Sequence, residues 1–248
     1  MTTSWESSSR WYDSIVGEKG HYYHEHLIFP RSLRLLNLKQ GDSLIDLGCG
    51  QGVLCGQLPK QVTYTGVDAS PSLIKKAKER FKGHFVVADL TKPLDLSGFS
   101  HATMMLVLQN IEEPEKALQN GAKTLKPGGK FLLVLNHPCF RIPRQSSWGI
   151  DPSKQLQYRR IDLYMTPLKI PIQTHPGKED SSQTISFHQP LSSYTAALAK
   201  AGFVIEQIEE WASDKKSTGG KARMENRSRK EFPLFLAILA RRDNTSSD

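Results

Sequence analysis

The chain has 248 residues, 38% hydrophobic and 23% charged, a length and balance that suit one globular domain with a full buried core. Its longest apolar run, Phe232 to Ala240, contains Pro233 and is too short to cross a bilayer, which excludes a membrane span. Three widely placed cysteines (Cys49, Cys55, Cys139) do not form a disulfide framework, and Met1 to Glu6 has no basic-then-apolar leader pattern, so the expectation is a cytoplasmic protein with reduced thiols.

The formal net charge is +8, and most of it sits in one place. Between Lys215 and Lys230 there are seven basic residues (Lys215, Lys216, Lys221, Arg223, Arg227, Arg229, Lys230) against one acid, Glu225. Such a basic loop attracts an anion, whether a small substrate, an acyl carrier or nucleic acid, or else is a solvated surface segment.

In chain order, residues 1–10 are polar and Ser-rich, with little to hold them in place. Trp11, Tyr12 and Ile15, then His21 to His26, then Leu27, Ile28, Leu33, Leu35 and Leu36 read as helical segments interrupted by Pro30 and ending near Gly41. His24 and His26 are two apart and do not share a helix face, and no Cys, Asp or Glu cluster elsewhere completes a ligand set, so no metal is expected.

Leu44-Ile45-Asp46-Leu47-Gly48-Cys49-Gly50-Gln51-Gly52 is an apolar run closed by three alternating glycines, followed by a short helical pattern from Val53 to Leu58. Strand, glycine turn and helix open a βαβ unit that binds a nucleotide-like cofactor at the strand's carboxyl end. The third glycine is Gly52, where the dinucleotide pattern G-x-G-x-x-G requires a small residue at position 53, occupied here by Val53. A second strand ends at Asp68, twenty residues past Gly48, and a third, Phe85 to Leu90, ends in Asp89. A carboxylate in the register of Asp68 can accept from both hydroxyls of a ribose.

The spacing D-x-G-x-G-x-G, with the two later strand-end acids, resembles the first motif of Rossmann-type (class I) S-adenosylmethionine-dependent methyltransferases, over roughly residues 40–240. The resemblance implies S-adenosyl-L-methionine as cofactor. Gly48, Cys49, Gly50 and Gly52 would lie under its amino-acid portion and ribose. Asp46 would face the amino group, Asp68 and Ala69 the ribose, and Asp89 and Leu90 the adenine, with Gln109 beside the methyl. For each aspartate the alternative is a strand-end or turn cap, and for Cys49 simply a small side chain in a tight turn.

Ser70-Pro71 caps a helix from Pro71 to Phe81. His101 to Leu108 is a near-continuous apolar run, the pattern of a strand buried on both faces, ending at Gln109-Asn110. Glu112, Glu113 and Pro114 open a helix to about Leu125, Lys126-Pro127-Gly128-Gly129 breaks it, and Lys130 to Leu135 is a fifth strand. Leu191 to Ala201 is a helix closed by Gly202, and Phe203 to Glu210 and Phe232 to Ala240 are strands joined by the basic loop. The fold class is α/β: a doubly wound, mostly parallel seven-stranded sheet with an antiparallel last strand, N-terminal lid helices and a cap inserted after the fifth strand. The parts are a lid (1–40), a Rossmann-like core (41–140), a substrate cap (141–187) and a helix with an antiparallel strand pair (188–242) completing the same domain.

Members of the resembling family that methylate exocyclic base amines carry Asn/Asp-Pro-Pro-aromatic after the fourth strand, where this chain has Asn110-Ile111-Glu112-Glu113. The resemblance is therefore to the small-molecule branch. His137 and His188 are the candidate general bases, each with the alternative of a hydrogen-bonded structural imidazole. Three readings stand: a methyltransferase acting on a small, possibly anionic acceptor; an RNA-modifying methyltransferase using residues 215–230, disfavoured because that loop has no aromatics to stack on bases; and a non-catalytic cofactor-binding protein. Oligomeric state is not legible.

Overall fold

The computed structural model describes residues 6, 9, 16–17, 20–173 and 183–244. Trp11, Tyr12 and Ile15 of the expected lid, and residues 174–182 of the expected cap, lie outside these.

A π-helical turn, His24–Ile28, runs without a break into α1 (Phe29–Leu36). Pro30 does not interrupt it. It stands in the first turn of α1, where a proline sacrifices no intrahelical hydrogen bond. The sheet strands follow as β1 (Ser43–Leu47), β2 (Thr63–Asp68), β3 (His84–Val87), β4 (Phe99–Met105) and β5 (Leu125–Asn136), with α2 (Pro71–Arg80) and α3 (Pro114–Thr124) between them. Ser70 caps α2, its hydroxyl accepting from Leu73 N at 3.3 Å. Two antiparallel hairpins come next, β6 (Ser146–Asp151) with β7 (Leu156–Ile161) and β8 (Leu168–Gln173) with β9 (Gln183–His188). The chain then returns through α4 (Leu191–Lys200) to β10 (Phe203–Trp211), α5 (Ala222–Glu231) and β11 (Phe235–Arg242).

The strand order in the seven-stranded sheet is β10-β11-β5-β4-β1-β2-β3, with β11 antiparallel to both of its neighbours. The order turns between β1 and β4, so their carboxyl ends part at a topological switch point, where such sheets bind ligands. Both faces are apolar. In β5, Phe131, Leu133 and Leu135 join one core with α3 and α4, while Leu132 and Val134 join the other with α1, α2 and Trp211. Each of these side chains is essentially fully buried, and each contributes about 1.5–3 kcal/mol by leaving water.

Three expectations change. The fourth strand stops at Met105 rather than Leu108, because Leu106 takes a left-handed φ of 57° and Leu108–Asn110 forms a 3₁₀ turn. The Pro127-Gly128-Gly129 breaker is absorbed as a bulge in β5: pairing with β4 jumps from Phe99↔Leu125 to His101↔Lys130. The basic loop is largely α5, which touches the cap where Ser228 Oγ donates to Gln157 Oε1 at 2.5 Å.

Candidate functional site

At the end of β1 the chain enters its glycine turn, and Gly48 N and Cys49 N both donate to Val67 O (2.7 and 3.0 Å), closing the turn onto β2. Gly48 has φ 82°, and a Cβ there would collide with Val107 from the loop after β4. Only glycine allows both the turn and that approach. Gly52 serves packing instead: a Cβ would press on Phe85 and Ala77. Asp68, at the end of β2, is held from two sides, Oδ2 accepting from Gly50 N at 2.8 Å and Oδ1 from Ser70 N at 2.9 Å. Burial raises its pKa, these amides oppose the rise, and the nearby Glu6 carboxylate adds to it.

These elements open onto a cavity of about 390 Å³. Of the residues expected to bind cofactor, Gly48, Gly50, Asp68, Ala69, Leu90 and Gln109 line it. Further lining comes from Leu73, from Met105 to Val107 with Asn110 and Ile111, from Asn136 at the end of β5 and Pro143 beyond it, and from Ile172, Thr184 and Ser186 of the β8–β9 hairpin. Gln109 Oε1 is buried with no partner among the described residues, an acceptor that a donor in the cavity would satisfy.

Asp46 and Cys49 line a smaller cavity of about 40 Å³ beside it, with Gln51. Asp46 accepts from Tyr64 Oη (2.9 Å) and Thr103 Oγ1 (2.8 Å), and burial pushes its carboxyl up to about 6 despite them. Gln51 donates to Gly17 O and leaves its own Oε1 buried without a partner among the described residues. Burial, followed by the two aspartates, raises the Cys49 thiol well above its ordinary value, so it is no nucleophile.

Four expected site residues do not line either cavity, Gly52, which packs on Phe85 and Ala77, and three others. Asp89 is exposed, its Oδ1 accepting from Thr91 N (2.9 Å) and Thr91 Oγ1 (2.8 Å). His137 is buried with Nε2 on Glu210 Oε1 at 2.6 Å and Nδ1 accepting from Cys139 N at 3.2 Å. His188 is buried with Nε2 donating to Tyr164 O at 2.7 Å. Burial lowers the pKa of both imidazoles, although Glu210 opposes the shift at His137.

The histidine that does line both cavities is His24, from the π-helical turn. It stacks on Phe29 at 5.3 Å, and burial, then His21, push its pKa down to about 4, so the ring is neutral at pH 7. Its sequence signal was only a place in a histidine- and tyrosine-rich run. The π-helical turn, a form that recurs at functional sites, is not legible from propensity. Among the described residues no cluster of three or more His, Cys, Asp or Glu side chains is placed to hold a metal ion.

Residues 45–133 match the family model described as a methyltransferase domain. A crystal structure of an S-adenosylmethionine-dependent methyltransferase from Mesorhizobium loti superposes with a TM-score of 0.67 at 25% identity, covering 86% of this chain and 96% of that one. Residues 45–133 thus carry a methyltransferase domain, on a fold shared with S-adenosylmethionine-dependent methyltransferases. Among curated relatives, a 2-phytyl-1,4-naphtoquinone methyltransferase from Nostoc punctiforme is 31% identical over 60% of this chain and 64% of its own length. A ubiquinone biosynthesis O-methyltransferase from Coxiella burnetii is 35% identical over 45% of this chain and 52% of its own. The chain thus spans about half the length of the curated relatives it matches. No helix of the methyltransferase domain or of the other described residues is long and apolar enough to cross a membrane.

Proposed function

We propose that this protein transfers a methyl group from S-adenosylmethionine to a small-molecule acceptor. The observation that carries the reading is the main cavity, which joins the glycine turn and Asp68 at one end to a wall of inserted hairpin at the other. The residues fit the cofactor: Gly48 and Gly50 leave backbone bare, Asp68 offers a carboxylate in ribose register, and the orphaned acceptors of Gln51 and Gln109 await donors. Asp46 and Gln51 suit an ammonium, and Leu90 an adenine face. Bound there, the cofactor supplies a methyl group already activated on a sulfonium.

What the chain must add is position and dryness. The apolar lining from Leu73, Leu90, Met105, Leu106 and Ile172 keeps water out, while Asn136, Thr184 and Ser186 offer polar contacts that orient the acceptor. His24 from the N-terminal helical turn, Pro143 and the β8–β9 hairpin form its cover. Among the described residues no imidazole beyond His24 lines the cavity, and a ring with a pKa of about 4 is a weak base, so the reading favours an acceptor that needs little help in losing its proton. The relatives named for a naphthoquinone and for ubiquinone biosynthesis support an aromatic or quinone-like acceptor of this kind.

The test is calorimetric titration with S-adenosylhomocysteine and, separately, NAD. The expected result is binding of the former alone, with about 2.7 kcal/mol of added stability at a hundredfold excess over Kd. Asp68→Ala is expected to lose about tenfold or more in affinity while the ligand-free melting temperature holds or rises. Equal binding of NAD, or an Asp68→Ala variant with full affinity, overturns the reading.

A further inference from the structure

Several cations on the surface of this molecule are paired. Arg34 meets Glu209 at 2.7 Å, Lys169 meets Glu112 at 2.8 Å, Lys200 meets Glu115 at 2.7 Å and Arg241 meets Glu206 at 2.9 Å. Arg141, just beyond β5, differs: its side chain is half-buried and no carboxylate among the described residues pairs with it. Its Nη1 donates to Asn136 Oδ1 (2.6 Å) and Leu234 O (3.4 Å), and its guanidinium lies 5.2 Å from the Phe235 ring centroid. Its titratable neighbours are the Tyr23 hydroxyl and Arg159, whose positive charge repels it. Arg159 is likewise held by neutral groups, Phe140 O (2.8 Å) and Ser146 Oγ (2.6 Å).

The same corner holds more positive charge. Lys215 Nζ lies 4.3 Å from the Tyr22 ring centroid and 5.0 Å from that of Tyr23, and Tyr23 packs on Phe235 at 5.7 Å. His21 feels both Lys215 and Arg141. Asp214, beside Lys215 in sequence, accepts from Tyr22 Oη at 3.1 Å. Arg141 borders the main cavity, because Asn136, which it touches, and Pro143, two residues on, are both lining residues.

A half-buried cation held by neutral acceptors and an aromatic ring, without a counter-ion, is not explained by stability alone. We propose that Arg141, with Lys215 and His21 beside it, is a subsite for an anionic group, a carboxylate or a phosphate monoester, on the methyl acceptor. The proposal rests on the small-molecule methyltransferase reading and gives that acceptor its chemical class. The guanidinium's planar donors suit a two-oxygen group, while Asn136 holds Nη1 in place. Lys215 adds long-range attraction from an exposed position. Of the seven cations between 215 and 230, it is the one that stacks on the N-terminal tyrosines.

The test titrates benzoate, phenyl phosphate and the uncharged benzamide into protein loaded with S-adenosylhomocysteine, and again into unloaded protein. The expected result is that at least one anion binds about tenfold or more tighter than benzamide, and which one separates carboxylate from phosphate. Arg141→Met is expected to lose that preference while its ligand-free melting temperature equals or exceeds the wild type's. Arg141→Lys, which keeps the charge, is expected to retain part of the preference. Anions binding no better than benzamide overturn the proposal, as does an Arg141→Met variant that melts lower but keeps anion affinity, which marks a structural arginine. Failure of S-adenosylhomocysteine to bind, seen before any probe is added, counts against the methyltransferase reading instead and leaves the unloaded anion titrations decisive.

Discussion

One wall of the cavity is mostly main chain: the turn at Gly48 and Gly50, and a carboxylate, Asp68, fixed by two backbone amides. The facing wall is side chains, Asn136, Ile172, Thr184 and Ser186, most of them carried on a small two-stranded hairpin outside the main sheet. The first wall is over-determined. Its turn is hydrogen-bonded to β2, wedged by Val107 and backed by a fully buried strand, so few substitutions leave it intact. The second is tied to the body by exposed contacts such as Lys169 to Glu112, each worth only a fraction of a kcal/mol to about 1. A domain built this way keeps its cofactor chemistry while the acceptor side drifts.

The sharpest way to break that contrast is at Gly48. A Cβ there meets Val107 in a backbone conformation that L-residues avoid, so Gly48→Ala is expected to cost about 2–4 kcal/mol and to lower the melting temperature clearly. An unchanged melting temperature would mean that the main-chain wall is no more constrained than the hairpin.

A smaller effect lies at Asp46. Its folded pKa, about 6, stands above the unfolded value of about 3.9, so the folded state holds a proton that the unfolded chain releases. The stability tied to that proton is fully present below about pH 4 and is lost as pH rises through about 6, by at most about 3 kcal/mol. Asp46→Asn is expected to flatten this fall in ligand-free protein. Parallel melting curves for the two proteins from pH 4 to 7 would contradict it.

The smallest expected change comes from His137→Gln and His188→Gln. Each imidazole is bonded inside the protein and neither lines the cavity, so turnover is expected to shift by less than about threefold. A hundredfold loss in either variant, with S-adenosylhomocysteine affinity unchanged, would restore that histidine as a base and extend the catalytic wall beyond the hairpin.

The glycine turn and the place of Asp68 were readable because their determinants are local, whereas Asp89, placed by the same rule, is exposed and bonded to Thr91. Glycine spacing dictates the turn, and a strand's last residue falls at the sheet's carboxyl edge, which is why Asp68 could be placed from register alone. Leu106 escaped because an apolar run looks the same whether it stays extended or turns left-handed after Met105. Two histidines were singled out, His137 just past the fifth strand and His188 before the late helix, yet only the fold reveals that His137 turns to Glu210 and His188 to Tyr164, and that His24 faces the cavity. Arg141 gave no signal at all, since a half-buried charge without a counter-ion is a property of what surrounds it. The basic segment was conspicuous as composition, but its helix and its single inward-stacking lysine depend on tertiary contacts.

The position of β11 has a consequence for how the molecule assembles. Phe235–Arg242 inserts between β10 and β5, the second of which leaves the ribosome about a hundred residues earlier. Until it arrives, β5 exposes an unpaired edge of the kind that templates aggregation, and β10 has no sheet to join. The β1–β4 portion has its parallel neighbours early, but closure of the sheet waits on contacts of long sequence separation, which are slow to form. Nascent chains released before Phe235 would therefore lack an interior strand rather than an edge, and would depend on chaperones more than any surface truncation of equal length.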